Sequence, residues 1–140
     1  MATRATIHVA KREEGVSFSE KPPYTIVDIY HHWDGYPEGL GVTLASYLDD
    51  MKIVNGLGRD DMNVANGLGC LAAQLIAELK DGPGNVSIIG PEESYAYIEF
   101  EYYIWGDEYK DIWISIFSDD DDECIFVGKP RDLLKKYYTN

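Results

Sequence analysis

The sequence predicts an α+β fold: an antiparallel sheet of about five to six strands with two or three helices packed on one face, in the order ββααββββα. Three observations carry this. From Tyr95 to Trp105 the chain alternates with period two, Ile98, Phe100, Tyr102 and Ile104 against Tyr97, Glu99, Glu101 and Tyr103. From Asp61 to Lys80, Leu68, Leu71, Ala72, Leu75, Ile76 and Leu79 form one apolar stripe at helical spacing. And 45% of the 140 residues are hydrophobic and 13% aromatic, enough to bury the core of one domain spanning residues 1–140.

The first strand is expected at Arg4–Val9, with Ala5, Ile7 and Val9 on one face and Thr6 and His8 on the other. A polar connection ending in Pro22-Pro23 leads to a second strand, Tyr24–His32. Both of its faces are partly apolar, which suits an inner strand. The segment Trp33–Gly41 reads as a loop. Asp34-Gly35 is a turn signal and Pro37 stiffens it. Leu40, Leu44, Tyr47, Leu48 and Met51 then predict a helix over Gly41–Ile53. A glycine-containing break at Asn55–Asp60 precedes the long helix, which Asp81-Gly82-Pro83-Gly84 stops. Strands follow at Asn85–Ile89, Tyr95–Trp105, Tyr109–Phe117 and Cys124–Val127, then a C-terminal helix at Arg131–Tyr138.

Charge narrows the function. With 25 acidic against 12 basic residues the net charge is −13, which repels nucleic acid and anionic membranes and leaves basic protein partners and cations open. No apolar run approaches the roughly 20 residues of a membrane span. Met1–Ala10 lacks an apolar signal-peptide core, so a cytoplasmic location is expected. Cys70 and Cys124 stand far apart and outside any CxxC pair. Two buried free thiols in a reducing compartment are the expectation.

Chemical motifs are sparse. Gly56-x-Gly58 and Gly67-x-Gly69 do not follow strands and lack a P-loop lysine. No serine has a GxSxG context. The run Asp119–Glu123 alternates like the start of a calcium loop, but it has neither the central glycine nor the closing glutamate. A solubilising surface and a mimic of DNA phosphates are two further readings of the acidic residues. No cofactor and no metal site is implied.

The most unusual stretch is His31-His32-Trp33-Asp34-Gly35-Tyr36-Pro37-Glu38-Gly39. Neighbouring residues of a strand point to opposite faces, so His31 and His32 cannot share a metal there. His32 and Asp34 can share a face, as two ligands or an acid–base pair. The plainer reading is a structural strand-to-helix turn anchored by Trp33 and Tyr36, and recognition through the exposed aromatics is a further one.

The opening Arg4-Ala5-Thr6-Ile7 and the stretch Tyr30-x-His32-Trp33-Asp34-Gly35-Tyr36-Pro37-Glu38-Gly39 resemble a group of small uncharacterised proteins from phages and bacteria. These pair a similar first strand with a similar turn. The likeness covers about the first quarter of the chain well and the remainder only in pattern. It implies a phage or mobile-element accessory protein acting in the host cytoplasm, and it brings no activity with it.

Together these features lead to a non-catalytic acidic binding protein that occludes a host protein. The expected contacts are His32, Trp33, Asp34 and Tyr36 in the loop, and Glu99, Glu101 and Asp111 on the sheet. A small-molecule or nucleotide site, binding or hydrolytic, around His32, Asp34 and Tyr36 is the alternative. A homo-oligomer joined through the tyrosine-rich face is a third.

Overall fold

The computed structural model describes residues 2–56 and 63–138. The strands are β1 (Arg4–Lys11), β2 (Val27–His31), β3 (Lys52–Val54), β4 (Val64–Asn66), β5 (Val86–Ile88), β6 (Ile98–Gly106), β7 (Trp113–Ser118) and β8 (Cys124–Gly128). The helices are α1 (Val42–Leu48), α2 (Leu68–Leu79) and α3 (Pro130–Tyr137), with a π-helical turn, Pro37–Gly41, leading into α1. Six strands form one sheet in the order β5-β2-β1-β6-β7-β8.

The α+β class and the helices on one face are as the sequence predicts. One pairing differs. β1 and β6, at the centre of the sheet, run parallel, while the other pairs in this sheet are antiparallel. Parallel neighbours need a long crossover, and the segment containing α1 and α2 supplies it.

Two expected helices are shorter than their apolar patterns. The first ends at Leu48, and Asp50 then takes a left-handed conformation (φ 64°). Its flanking pattern residues Leu40 and Met51 are buried from outside α1. The second begins only at Leu68, because Gly67 (φ 86°) separates it from β4. The expected start at Asp61, and Gly58, lie outside the described residues. The ends freed from both helices pair with each other. Lys52, Ile53 and Val54 of β3 run parallel to Val64, Ala65 and Asn66 of β4 as a two-stranded sheet. Other strands are trimmed where non-glycine residues turn left-handed, β6 by Tyr97 (φ 62°) and β7 by Tyr109 (φ 60°).

The core follows the alternation of β1. Ala5, Ile7 and Val9 bury against Leu44 and Leu48 of α1, Leu71 and Leu75 of α2, and Leu133 of α3. The opposite face of the sheet carries a second, smaller cluster of Ala10, Tyr103, Trp105 and Phe117. The β1–β2 connection straps over this cluster. Phe18 stacks on Trp113 at 4.7 Å and meets Trp105 edge-on at 5.3 Å. Ser115, fully buried beneath the strap, accepts the Trp105 indole N–H at 2.8 Å and donates to the Phe18 carbonyl. The strap covers the β7 side of this face and leaves the β2 side open.

The thiols depart from expectation. Both cysteines are free, but Cys70 is exposed on α2 and Cys124 is half-buried. Cys70 misses the buried stripe because it lies on the outer side of the helix, beside Gln74.

Ser115→Ala leaves two polar groups without partners under the strap. We expect a loss of about 1–3 kcal/mol in urea unfolding followed by tryptophan fluorescence. A change below about 0.5 kcal/mol, the range of ordinary surface substitutions, would show that the strap is not held through Ser115.

Candidate functional site

The His31–Gly39 motif builds a tight turn. His32 N–H donates to the Asn85 carbonyl at 2.8 Å, extending the contact between β2 and the approach to β5. Asp34 turns left-handed (φ 53°), a conformation that aspartate tolerates. Gly35 then lies flat on β1. Its N–H donates to the Thr3 carbonyl at 2.9 Å, and its carbonyl accepts the buried Tyr102 hydroxyl at 2.6 Å. A Cβ at Gly35 would sit 2.7 Å from the Ala5 Cβ and 2.8 Å from the Thr3 carbonyl oxygen. One at Gly39 would sit 2.6 Å from the Asp34 carbonyl oxygen. Leu40 N–H closes the turn on that carbonyl at 2.9 Å. Burial pushes the Tyr102 hydroxyl far above the usual phenol range, so it remains a proton donor.

Two polar side chains of the motif, His32 and Asp34, pair with tyrosines two residues away. His32 Nδ1 lies 2.5 Å from the Tyr30 hydroxyl, and Asp34 accepts the Tyr36 hydroxyl at 3.1 Å. The expected His32–Asp34 pair is therefore replaced by two separate pairs. Trp33 is 52% and Tyr36 39% exposed, so both present ring surface outward. His31 faces the helix side, opposite Ala5, and its buried Nδ1 has no hydrogen-bond partner among the described residues. Burial holds its imidazole below the usual range.

The larger concavity lies on the open half of the second sheet face. It is a cleft of about 700 Å³. Asp28, Glu93, Glu99, Glu101, Asp119 and Asp122 contribute carboxylates to it, and Tyr95 and Tyr103 contribute rings. A register shift between Arg4 and Ala5 against Ile98 and Phe100 makes Glu99 an extra residue in β6. Such a bulge re-aims side chains, and here Ile98, Glu99 and Glu101 all line the cleft. At the edge, Lys21 from the strap reaches Glu101 at 2.6 Å and Asp122 at 2.5 Å. Burial works to lower its pKa, but these two carboxylates outweigh that and hold it raised.

At the cleft floor four side chains form a row. Thr25 Oγ1 donates to Asp28 Oδ1 at 2.7 Å, Asp28 Oδ1 lies 2.6 Å from His8 Nδ1, and His8 Nε2 lies 2.8 Å from Thr6 Oγ1. His8 stacks on Tyr103 with ring centroids 4.7 Å apart. Burial, reinforced by Glu101, Asp122 and Asp28, pushes the Tyr103 hydroxyl well above the usual phenol range. A ladder of rings connects this cleft to the loop: Tyr95 on Tyr30 at 4.1 Å, Tyr30 to His32 at 5.8 Å, His32 to Trp33 at 4.5 Å.

The expected contact residues thus fall into three places. His32, Trp33, Asp34 and Tyr36 occupy the turn, and Glu99 and Glu101 the cleft. Asp111 stands elsewhere, paired with Lys129 at 3.0 Å, which holds its carboxyl below the usual range. It lines a different pocket with Asp49, Lys52 and Arg131. The sequence reading assigns no role to Thr6 or Asp28, and places Tyr103 only on the tyrosine-rich face of its strand. Period-two alternation does place Thr6 and His8 on one face of β1, but only the strand order brings Asp28 opposite His8. Among the described residues, no group of three or more His, Cys, Asp or Glu side chains could hold a metal ion. Nor, among them, is any helix long and apolar enough to cross a membrane. No protein-family model, curated protein or solved structure matches the chain.

Two outcomes test this geometry. Gly35→Ala should cost about 1–3 kcal/mol by overpacking against Ala5 and Thr3, whereas Trp33→Ala should leave urea stability within about 0.5 kcal/mol. Equal stabilities would refute the close-packed turn. The second concerns pH. His31 has its folded pKa below its unfolded value of about 6.5. Its contribution is complete above that value and is lost as pH falls toward the folded pKa, because the unfolded chain binds the proton first. His31→Gln should flatten the stability profile between about pH 7 and 5, by at most about 1.4 kcal/mol per pH unit. Superimposable profiles would exclude a buried neutral His31.

Proposed function

We propose that the protein is a binding protein that receives a basic segment of a partner protein in its acidic cleft and so occludes that partner. The observation that carries this reading is the convergence of Asp28, Glu93, Glu99, Glu101, Asp119 and Asp122 around one cavity. Among the described residues lining it there is no lysine or arginine. Such a concavity focuses negative potential and steers a cationic partner to it. Tyr95 and Tyr103 add aromatic surface, which packs against alkyl stems and guanidinium planes alike. Lys21, an ammonium held between Glu101 and Asp122, illustrates the chemistry that this wall accepts.

The phage or mobile-element setting suggested by the Arg4–Ile7 and Tyr30–Gly39 motifs fits a cytoplasmic protein that acts by occupying a host protein. The nucleotide reading around His32, Asp34 and Tyr36 has weaker support. Their polar groups are hydrogen-bonded within the turn, and phosphates would meet an acidic surface.

The test is binding to a labelled oligo-arginine peptide, followed by fluorescence anisotropy at low and moderate salt. The double variant Glu99→Lys with Glu101→Lys should weaken binding by about tenfold or more, and added salt should weaken the wild type. Asp111→Lys, outside the cleft, should bind as the wild type does. Undiminished binding by the double variant, or equal losses at all three positions, would remove the cleft from the account.

A further inference from the structure

We propose that Thr6 is a nucleophile, activated by His8 and Asp28 at the floor of the cleft, that accepts an acyl group from a cationic ester or thioester. This goes beyond capture of a partner, and only the charge of the acyl donor rests on that reading.

Three side chains carry the inference. Asp28 Oδ1 lies 2.6 Å from His8 Nδ1. An ionised carboxylate is an acceptor only, so in the neutral imidazole, the form that can act as a base, Nδ1 bears the ring proton and Nε2 is the acceptor. Thr6 Oγ1, 2.8 Å from Nε2, therefore donates its proton along the line on which a base would remove it. Thr25 fixes Asp28 from behind at 2.7 Å, and Tyr103 holds the imidazole plane by stacking at 4.7 Å. Each member is positioned by regular strand geometry. Thr6 and His8 are alternate residues of β1, and Asp28 is the register partner of His8 across β2. A hydroxyl bonded to an imidazole, itself bonded to a carboxylate, is the arrangement that converts a weak alcohol into a nucleophile.

Thr6 is only 5% exposed, yet it lines the cleft together with His8 and Asp28. The hydroxyl is thus shielded from bulk water and open to a ligand seated in the cavity. Carboxylates across the same cavity that Lys21 does not pair with, Glu93, Glu99 and Asp119, select an acyl donor with a positive charge near its carbonyl.

The step balances without a further reagent. Thr6 Oγ1 bonds to the acyl carbon while its proton passes to His8 Nε2. The bond from the acyl carbon to the leaving oxygen or sulfur breaks, and His8 returns the proton to that atom. Water, deprotonated by His8, then cleaves the acyl-threonine ester and restores the hydroxyl. The net change is hydrolysis of the donor to an acid and an alcohol or thiol.

The experiment uses the full chain and two probes: p-nitrophenyl acetate, which is neutral, and p-nitrophenyl 4-guanidinobenzoate, which is cationic. Nitrophenolate release is followed by absorbance, and the acylated residue is located by peptide mass spectrometry. We expect label on Thr6 from both esters, with the cationic one reacting at least tenfold faster. Thr6→Ser should retain labelling, and Thr6→Val and His8→Ala should lose it with an unchanged circular dichroism spectrum. Wild-type protein with no label on Thr6, or with label confined to lysine or tyrosine, overturns the proposal even if those variants fail to fold. Undiminished Thr6 labelling in a folded His8→Ala variant overturns the role of the imidazole. Equal rates with the two esters overturn the cationic donor. Undiminished peptide binding by the Glu99/Glu101 variant, with wild-type Thr6 still labelled by the acetate ester, is a failure of the cleft reading alone; lost peptide binding in that variant, with no label on wild-type Thr6 from either ester, is a failure of this proposal alone.

Discussion

β1 pairs with β2 on one side and with β6 on the other, at the centre of the six-stranded sheet. Its side chains therefore fix two environments at once. Ala5, Ile7 and Val9 are fully buried under the helices, while Thr6 and His8 face the cleft. A slip of one residue would exchange these sets, placing an imidazole and a hydroxyl in the apolar core. The turn at Gly35 guards against this, because its N–H bonds the Thr3 carbonyl and its backbone lies on Ala5 too closely for any side chain. The HHWDGYPEG motif can thus be understood as a clamp on the register of β1. Its two glycines serve close approach, and Tyr102 ties it to β6, the other neighbour of β1.

Once that register is set, the open half of the second sheet face follows from how little the strap covers. Phe18 and Val16 shield Trp105 and Trp113, and the Pro22-Pro23 turn then walls one side of the cleft. Lys21 bridges Glu101 and Asp122 where strap and sheet meet, and its ammonium lies 5.4 Å from the centre of the Phe117 ring. Without this ammonium two carboxylates would face each other across a partly desolvated gap, which costs free energy. Lys21 thus relieves like-charge repulsion at one point and leaves the remaining carboxylates of the cleft unneutralised. A net charge of −13, diffuse in the sequence, is in this way partly gathered into one concavity.

Much of the fold is legible in the sequence because period two and period 3.6 are strong in β1, β6, β7 and α2. What escapes has local causes. The strands β3 and β4 hide within helical patterns, since Ile53 and Ala65 are apolar residues that either element would bury, and the left-handed Asp50 and Gly67 decide between them. The parallel β1–β6 pair is invisible because strand order is a property of the crossover and not of either strand. For the site, Glu99 and Glu101 are readable as an exposed acidic face of one strand. Asp111 looks equivalent in sequence, yet the turn at Tyr109 carries it to Lys129 and another pocket. His32 and Asp34 have the right spacing for a shared face only if the strand continues. It stops at His31, so each finds a different phenol.

The row Thr25–Asp28–His8–Thr6 shows why residues distant in sequence outweigh the more conspicuous motif. Its hydrogen bonds could serve only to satisfy polar groups on a half-covered sheet, and such networks do lend rigidity. Two features go beyond that need. Asp28, with Thr25 already donating to it, is also aligned on Nδ1 of an imidazole, which leaves the opposite nitrogen directed at a hydroxyl in the wall of a cavity. And the network sits where the strap withdraws, although the covered half of the same face would have shielded it more fully. A purely structural cluster gains from burial. This one stops at the boundary of burial, where a ligand entering the acidic cleft would meet the Thr6 hydroxyl.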